Sequence, residues 1–440
     1  AQFRHPHAFL GLMCSILEEN YPDLLEEFFA MGARRVNFAD MVPANLAADY
    51  APEPGDEAMW VLMCRRATME TVLRRYVERQ PNISIRNNTF VTGVTTDRFQ
   101  SSLRVTGLKI TDRTNDNETS LFTADLYVDA AGRVSKFRQW LSAEGAEIAE
   151  SRNDAEIVYY TRHFKLNPDY PEPNRHDHDP FAGDLGYLKY GVFQGEGGHF
   201  AVILCLPNAE TELREAIKDG DKFTDICNQI PGLVPWLSTE ASTPTTEPFG
   251  IGQIHAVWRD YVSDEKPEVL DFFAVADSSA RTNPLYGRGC STGILHGHLL
   301  ADVLEAHTDP RTRAIAFHEQ SLARIRPIYD ASLQEDKNGI NRAASVMAGL
   351  ERDRASNLSA YLKLAFGDAL AAAARYDINV FRGIMRTVNL IEQPGDFLKS
   401  AKLRRTIYRY MLKGRRANAR ARVQRGPSRE EMLAHVSGLN

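Results

Sequence analysis

Within residues 270–306 an apolar run, a carboxylate, a proline corner and two closely spaced glycines lead into an apolar helix, and this succession limits the fold more than any other feature. Leu270-Asp271-Phe272-Phe273-Ala274-Val275-Ala276 has the composition of a buried strand. It ends at Asp277. Pro284 follows in a polar loop, then Gly287 and Gly289, then a predicted helix from about Ser291 to Ala306 with Ile294, Leu295, Leu299, Val303 and Leu304 apolar. Each part has a chemical use. A strand-end carboxylate accepts hydrogen bonds from sugar hydroxyls. Glycines let the backbone approach a flat ligand closely. A helix N-terminus offers free N–H groups and partial positive charge to an anion. Without a ligand the same residues make an ordinary strand–turn–helix corner.

Asp277, Pro284, Gly287 and Gly289 fall on the pattern G-D-x(6)-P-x-x-G-x-G, with Ala276 in place of the first glycine. That is the second FAD-binding motif of the flavoprotein monooxygenases, and the chain resembles this superfamily of FAD-dependent aromatic hydroxylases and monooxygenases. The resemblance implies that Asp277 holds the FAD ribitol. It also implies that the backbone of Gly289, Cys290, Ser291 and Gly293 faces the pyrimidine edge of the isoalloxazine. Tyr286 and Arg288 flank this loop and are the candidates for substrate-side contacts.

Three further stretches resemble the same superfamily. In Ala124–Arg138, Gly132, Ser135 and Arg138 match D-G-x-x-S-x-x-R. The motif's Asp aligns with Ala131, and Asp129 stands two residues earlier. That variant is similar to the D-A-x-G-R form of isoprenoid reductases, halogenases and epoxidase-like members. Read on residues alone, Gly132 is a tight strand–helix corner. In Cys64–Arg74, Arg66 is the arginine that the resemblance places near the FAD phosphates or ring; an exposed, solvated arginine is the plainer alternative. Arg4-His5-Pro6-His7-Ala8-Phe9 is similar to a segment close to the isoalloxazine in epoxidase-like members, which makes His5 and His7 candidates. With no Cys, Asp or Glu at ligand spacing, no metal is expected there. His296 and His298 lie two apart on a helix and point to different sides. His176-Asp177-His178-Asp179 reads as a solvated loop.

The dinucleotide fingerprint G-x-G-x-x-G is absent from the sequence. In the family it precedes the Arg4–Phe9 segment, so the expectation is a Rossmann-like FAD domain that begins just after its phosphate-binding turn. Such a chain is expected to hold FAD weakly or not at all.

Along the chain, residues 8–31 have helical spacing with a break at Pro22, and 43–56 read as a loop. Thr68–Arg79 is helical. Ile83–Ile85, Phe90–Thr96, Leu103–Thr111 and Thr119–Phe122 alternate like a meander, with a turn at Asn115-Asp116-Asn117. Ala124–Ala130 is a short apolar strand. Residues 151–264 are rich in strands (Ile157–Phe164, Tyr187–Phe193, Phe200–Leu206), with a hairpin tip at Gly195-Glu196-Gly197-Gly198 and helices near Glu210–Ala216 and Lys222–Gln229. Everything after about Pro310 reads as helix. The predicted class is α/β: an N-terminally truncated FAD/NAD(P)-binding Rossmann-like domain (1–150 and 265–310, with substrate-domain strands near 33–63), an inserted mixed β-sheet substrate domain (151–264), and a helical C-terminal region (311–440).

Composition adds exclusions. The chain is 43% hydrophobic and 25% charged, as in ordinary globular proteins. Its five cysteines are scattered, which argues against a disulfide framework or zinc cluster and suits the cytoplasm. No apolar run reaches the ~18 residues of a membrane span. Residues 399–425 carry eleven Lys/Arg and no Asp/Glu, interleaved with Leu403, Ile407, Tyr410, Met411 and Leu412. This segment reads either as a solvated face packed on the acidic remainder or as a helix lying on an anionic membrane. Nucleic acid is not an expected partner, since no nucleic-acid-binding fold accompanies the charge.

The expected activity is that of an FAD-dependent monooxygenase, a hydroxylase or epoxidase, which inserts one atom of O2 into a small apolar or aromatic substrate using NAD(P)H. Two alternatives remain. One is a flavin-dependent reductase of isoprenoid-like double bonds, favoured by the Asp129 variant. The other is an inactive remnant that serves as a binding protein, favoured by the missing fingerprint. The W-x-W-x-I-P signature of halogenases is not found.

Overall fold

A computed structural model describes residues 4–114, 118–174, 179–350, 355–420 and 426–438. The chain divides into two compact units. The first comprises Ala1–Val72, Ala155–Ile254 and Gln334–Asn440; the second comprises Leu73–Asp154 and His255–Leu333.

The first unit is built on a six-stranded antiparallel sheet whose long members are Ile157–Leu166, Lys189–Gln194 and His199–Pro207. Side chains alternate across a strand. Accordingly Val158, Tyr160 and Phe164 share one face with Tyr190, Val192, Phe200, Val202 and Leu204, and together they form a core under the helices Thr211–Ala216 and Gly220–Asn228. Phe164 stacks on Phe200 at 5.4 Å, and Phe200 meets the buried Trp236 at 5.0 Å. Removing an aromatic ring of this kind costs about 3–5 kcal/mol. Met432 and Val436, from the helix Arg429–Gly438, seal the same core.

The hairpin between Lys189–Gln194 and His199–Pro207 turns at Gly197 and Gly198, both left-handed at φ 64° and 74°, where glycine carries no Cβ penalty. The tip also organises the helix Arg66–Glu78. Glu196 accepts from the Arg65 N–H at 3.0 Å and the Thr68 hydroxyl at 2.6 Å, and it pairs with the Arg65 guanidinium. These donors overcome burial and hold its carboxyl down at about 2.

The helices Leu358–Tyr376, Ile378–Val388 and Ala401–Leu412 pack through small side chains. Ala369 and Ala373 let Val380 and Ile407 approach closely. Asp377 caps the second of these helices by accepting from Asn379 and Val380 N–H. Arg382 reaches the buried Asp56 with Nε at 2.9 Å and the Ala51 carbonyl at 2.7 Å.

The second unit contains the predicted meander as Thr89–Phe99, Ser102–Asp112 and Glu118–Phe122. A three-stranded antiparallel sheet joins Ala149–Asp154, His255–Asp260 and Ala280–Arg281. Tyr127–Asp129 pairs parallel with Phe272–Ala274. Phe137, Leu141, Tyr127 and Phe272 share a core with Leu103, Val105 and Val269.

Several expectations need correction. Ile83–Ile85 is not a strand; both isoleucines are exposed and no strand among the described residues pairs with them, so alternation alone does not order them. The Ala124–Ala130 strand shortens to Tyr127–Asp129. The apolar run at 270–276 is two short strands, because Asp271 is left-handed at φ 57°. Val269–Leu270 therefore pairs with Leu103–Arg104, while Phe272–Ala274 pairs with Tyr127–Asp129. The 43–56 loop contains one helical turn, Ala44–Ala47. The predicted turn at 115–117 and His176, Asp177 and His178 lie outside the described residues.

Candidate active site

The two motifs separated by more than a hundred residues meet in the second unit through one buried carboxylate. Asp129 ends its strand and is 1% exposed. Its Oδ2 accepts from the Ser135 hydroxyl at 2.5 Å, and its Oδ1 accepts from Ala131 N–H at 2.9 Å and the Ser278 hydroxyl at 3.1 Å. Ser278 Oγ in turn accepts from Gly132 N–H at 2.7 Å. Gly132 is left-handed at φ 67°, and a Cβ placed on it would sit 3.7 Å from Asp277 Cβ. Gly132 thus turns the chain tightly beside the carboxylate-bearing turn, and Ser278 ties the two together.

That turn, Ala276–Ser278, starts in a conformation L-residues rarely adopt. Ala276 has φ 51°, where a Cβ costs roughly 1–2 kcal/mol. The Ala276 N–H donates to His296 Nδ1 at 3.1 Å. His296 Nε2 faces Ser321 Oγ at 2.9 Å, and the Ser321 hydroxyl donates to the Phe317 carbonyl at 2.7 Å. With the Ser321 proton committed, the imidazole is neutral with its proton on Nε2. It stacks on Phe317 at 4.8 Å. Burial pushes its pKa down to about 4. Protonating Nδ1 would also set one N–H against another.

The loop that follows leads to the helix Gly289–Ala306. Asn283 accepts from Leu285 N–H at 3.1 Å and fixes the turn Pro284–Tyr286. Gly287, left-handed at φ 66°, donates to the Pro284 carbonyl at 2.9 Å. Arg288 is buried; its Nη1 donates to Ser332 Oγ at 2.7 Å, and its guanidinium lies over the Tyr286 ring at 4.9 Å.

No side chain caps the helix that begins next. A Cβ on Gly289 would meet nothing within 4 Å, so the space beside this exposed residue of the first turn is open. Ser291, in that turn, is fully buried and its Oγ has no hydrogen-bond partner. A Cβ on Gly293 would be 3.4 Å from Ala276 Cβ, so the helix packs directly against the carboxylate turn. Arg281 adds positive charge. It donates to the His255 carbonyl at 3.0 Å. Burial, with Arg133, Arg259 and Arg152 nearby, lowers its pKa while Asp277 opposes the shift.

Asp277, Pro284, Tyr286, Gly287, Arg288, Gly289, Cys290, Ser291, Gly293 and Gly132 therefore belong to one unit and His5, His7 and Arg66 to the other. In that first unit His5 Nδ1 meets Thr161 Oγ1 at 2.8 Å, and His7 Nδ1 donates to the His5 carbonyl at 2.9 Å. Burial foremost pushes both to about 4. Arg66 pairs with Glu70 at 2.6 Å. Among the described residues no group of three or more His, Cys, Asp or Glu could hold a metal ion.

Sequence reasoning missed Ser278, Arg281, His296 and the locking role of Asp129. A signal existed for one of them: Ala276 stands where a left-handed turn favours glycine, and such a substitution calls for a compensating contact.

No family model matches the chain, and no curated protein matches its sequence. Solved structures do. The flavin-dependent brominase Bmp2 aligns with a TM-score of 0.58 at 13% identity, covering 93% of this chain and 90% of its own. A flavoprotein/dehydrogenase from Cytophaga hutchinsonii aligns at 0.56 and 12% identity, covering 93% and 90%. PqsL, a probable FAD-dependent monooxygenase from Pseudomonas aeruginosa, aligns at 0.53 and 15% identity, covering 78% and 86%. The chain shares their mixed α/β fold.

Proposed function

We propose that the chain is an FAD-dependent monooxygenase that inserts one oxygen atom from O2 into an apolar or aromatic substrate at the expense of NAD(P)H. The observation that carries this reading is the Asp277 turn packed on the open, uncapped start of an 18-residue helix with a buried, unpartnered Ser291 hydroxyl. The donor set fits FAD. A carboxylate suits the ribityl hydroxyls, and the N–H groups of Gly289, Cys290 and Ser291 suit the carbonyl-rich pyrimidine edge. The positive charge of Arg281 and Arg133 suits phosphate.

Bound FAD would supply the acceptor for a nicotinamide hydride and the site at which O2 is activated. The chain's own residues orient and stabilise. Asp277 would accept hydrogen bonds from the ribityl hydroxyls, and the helix N-terminus would stabilise negative charge placed before it. Pro284 and Gly287 shape the loop that leads into this helix start, where backbone rather than side chain would meet the group. Tyr286 and Arg288 are the candidates for the substrate side. The overall balance is substrate, O2, NAD(P)H and a proton going to oxygenated substrate, water and NAD(P)+.

Fluorescence titration of the chain with FAD tests the site: Asp277→Ala weakens binding at least tenfold. Unchanged affinity in the variant sinks the reading. The Asp129 variant favours a reductase as the second reading. Mass analysis of product formed under labelled O2 separates the two, because only the monooxygenase incorporates the label.

A further inference from the structure

We propose that the helix Ala401–Leu412 is a docking surface for a bilayer rich in anionic phospholipid. The helix is anchored on one side only. Ile407 is fully buried against Ala369, Ala373 and Val380. The opposite side carries Tyr408, 52% exposed, and Leu412, 89% exposed. These two lie one turn apart and share a face. Arg405 falls on the same stripe, and Lys402 and Arg409 flank it.

Charge and apolarity here are both uncompensated. Lys402, Arg405 and Arg409 have no acidic partner among the described residues, whereas nearby Lys399 and Arg415 are paired with Asp396 and Asp368. Residues 399–425 hold eleven of the chain's 52 Lys/Arg and none of its 58 Asp/Glu. The remainder is strongly acidic, so an anionic surface attracts this face and repels the rest, which fixes the orientation of approach.

The apolar component distinguishes lipid from nucleic acid. A phosphate backbone gains nothing from an exposed leucine at the end of the stripe. A headgroup layer does, because Leu412 and the Tyr408 ring can enter the acyl boundary while Arg405, Lys402 and Arg409 reach the phosphates. No helix among the described residues is long and apolar enough to cross a membrane, so the contact is made in the interface plane.

The test is sedimentation of the full chain with vesicles of phosphatidylcholine alone or with about 30% phosphatidylserine, at about 0.1 M salt. Wild type sediments with the anionic vesicles, not the neutral ones, and is released at about 1 M salt, where charges are screened within ~3 Å. Arg405→Glu with Arg409→Glu lowers partitioning at least about twentyfold, given roughly fivefold per basic residue at such a surface. Leu412→Ser lowers it several-fold and keeps the salt dependence. All three side chains are exposed, so the variants melt with the wild type. Equal binding to both vesicle types, binding to neither, or wild-type binding by the double variant overturns the proposal. A mobility shift of single-stranded DNA without vesicle binding overturns it in favour of nucleic acid.

Discussion

Asp129 offers the sharpest test of how the site is held. Removing its carboxylate in Asp129→Ala takes the acceptor from Ser135, Ala131 and Ser278 at once. The three donors are not equally stranded. Ala131 is exposed and Ser135 half-buried, so water can take over there, while Ser278 is fully buried. One sealed donor costs about 1–3 kcal/mol, and the two solvated bonds to a charged acceptor add a smaller loss, so the expected destabilisation is about 2–4 kcal/mol. Asp129→Asn keeps an oxygen for Ala131 and Ser278 and turns its NH2 toward Ser135 Oγ, which can accept; the cost falls to about 1 kcal/mol. Urea denaturation followed through Trp140 and Trp258, both in this unit, measures the difference. Flavin affinity should follow the same order, because Ser278 adjoins Asp277. Equal losses for the two variants, or an Asp129→Ala protein with wild-type stability and flavin affinity, would refute the locking role.

Ala276→Gly relieves a left-handed alanine and should stabilise the protein by up to about 1 kcal/mol in the same urea assay, whereas His296→Leu strands the Ala276 N–H and should cost about 2–3 kcal/mol. Acid should weaken the fold through its buried histidines. His5, His7 and His296 have folded pKa values of about 4 against 6.5 unfolded, so the unfolded chain binds more protons between them. Stability is therefore complete above about pH 6.5 and falls toward pH 4, and a urea midpoint unchanged between pH 7 and pH 5 contradicts this. In the first unit, Arg382→Met leaves Asp56 buried without its partner and should cost about 3–5 kcal/mol, while the double variant with Asp56→Ala loses less; thermal melts of the four proteins give the coupling.

What the sequence made legible was what is local. The spacing of Asp277, Pro284, Gly287 and Gly289 encodes a turn whose geometry depends on neighbours along the chain, so the motif and the helix after it could be read directly. The meander was legible for the same reason, since tight antiparallel connections pair adjacent strands. Ile83–Ile85 shows the limit: its alternation matches a strand, but no strand runs beside it. The break at Asp271 was hidden as well, because the apolar run continues through it while its two halves pair with different partners. Ser278 and His296 carry no pattern of their own; they matter only because Gly132 and Ala276 lie against them. In the basic segment, sign and composition were plain, but which side of the helix carries Leu412 outward depends on where Ile407 is buried.

The same contrast explains how the site tolerates its departures from the motif pattern that it resembles. Alanine at position 276 should weaken the left-handed turn that presents Asp277, and the motif's Asp is replaced by Ala131, with Asp129 two residues earlier. The structure answers each departure with a buried polar contact from a distant segment: the His296 imidazole holds the Ala276 amide, and Ser278 bridges Gly132 to the displaced Asp129. The imidazole contact acts only while His296 is neutral, so the turn is held near neutrality and loosens as His296 is protonated in acid. If His296 also holds Ala276 against its strained φ, glycine at 276 should remove that share of the cost of its loss and leave the cost of the stranded amide. In a cycle of the two substitutions, the cost of His296→Leu should then shrink when Ala276→Gly is already present, because glycine holds the same φ without strain.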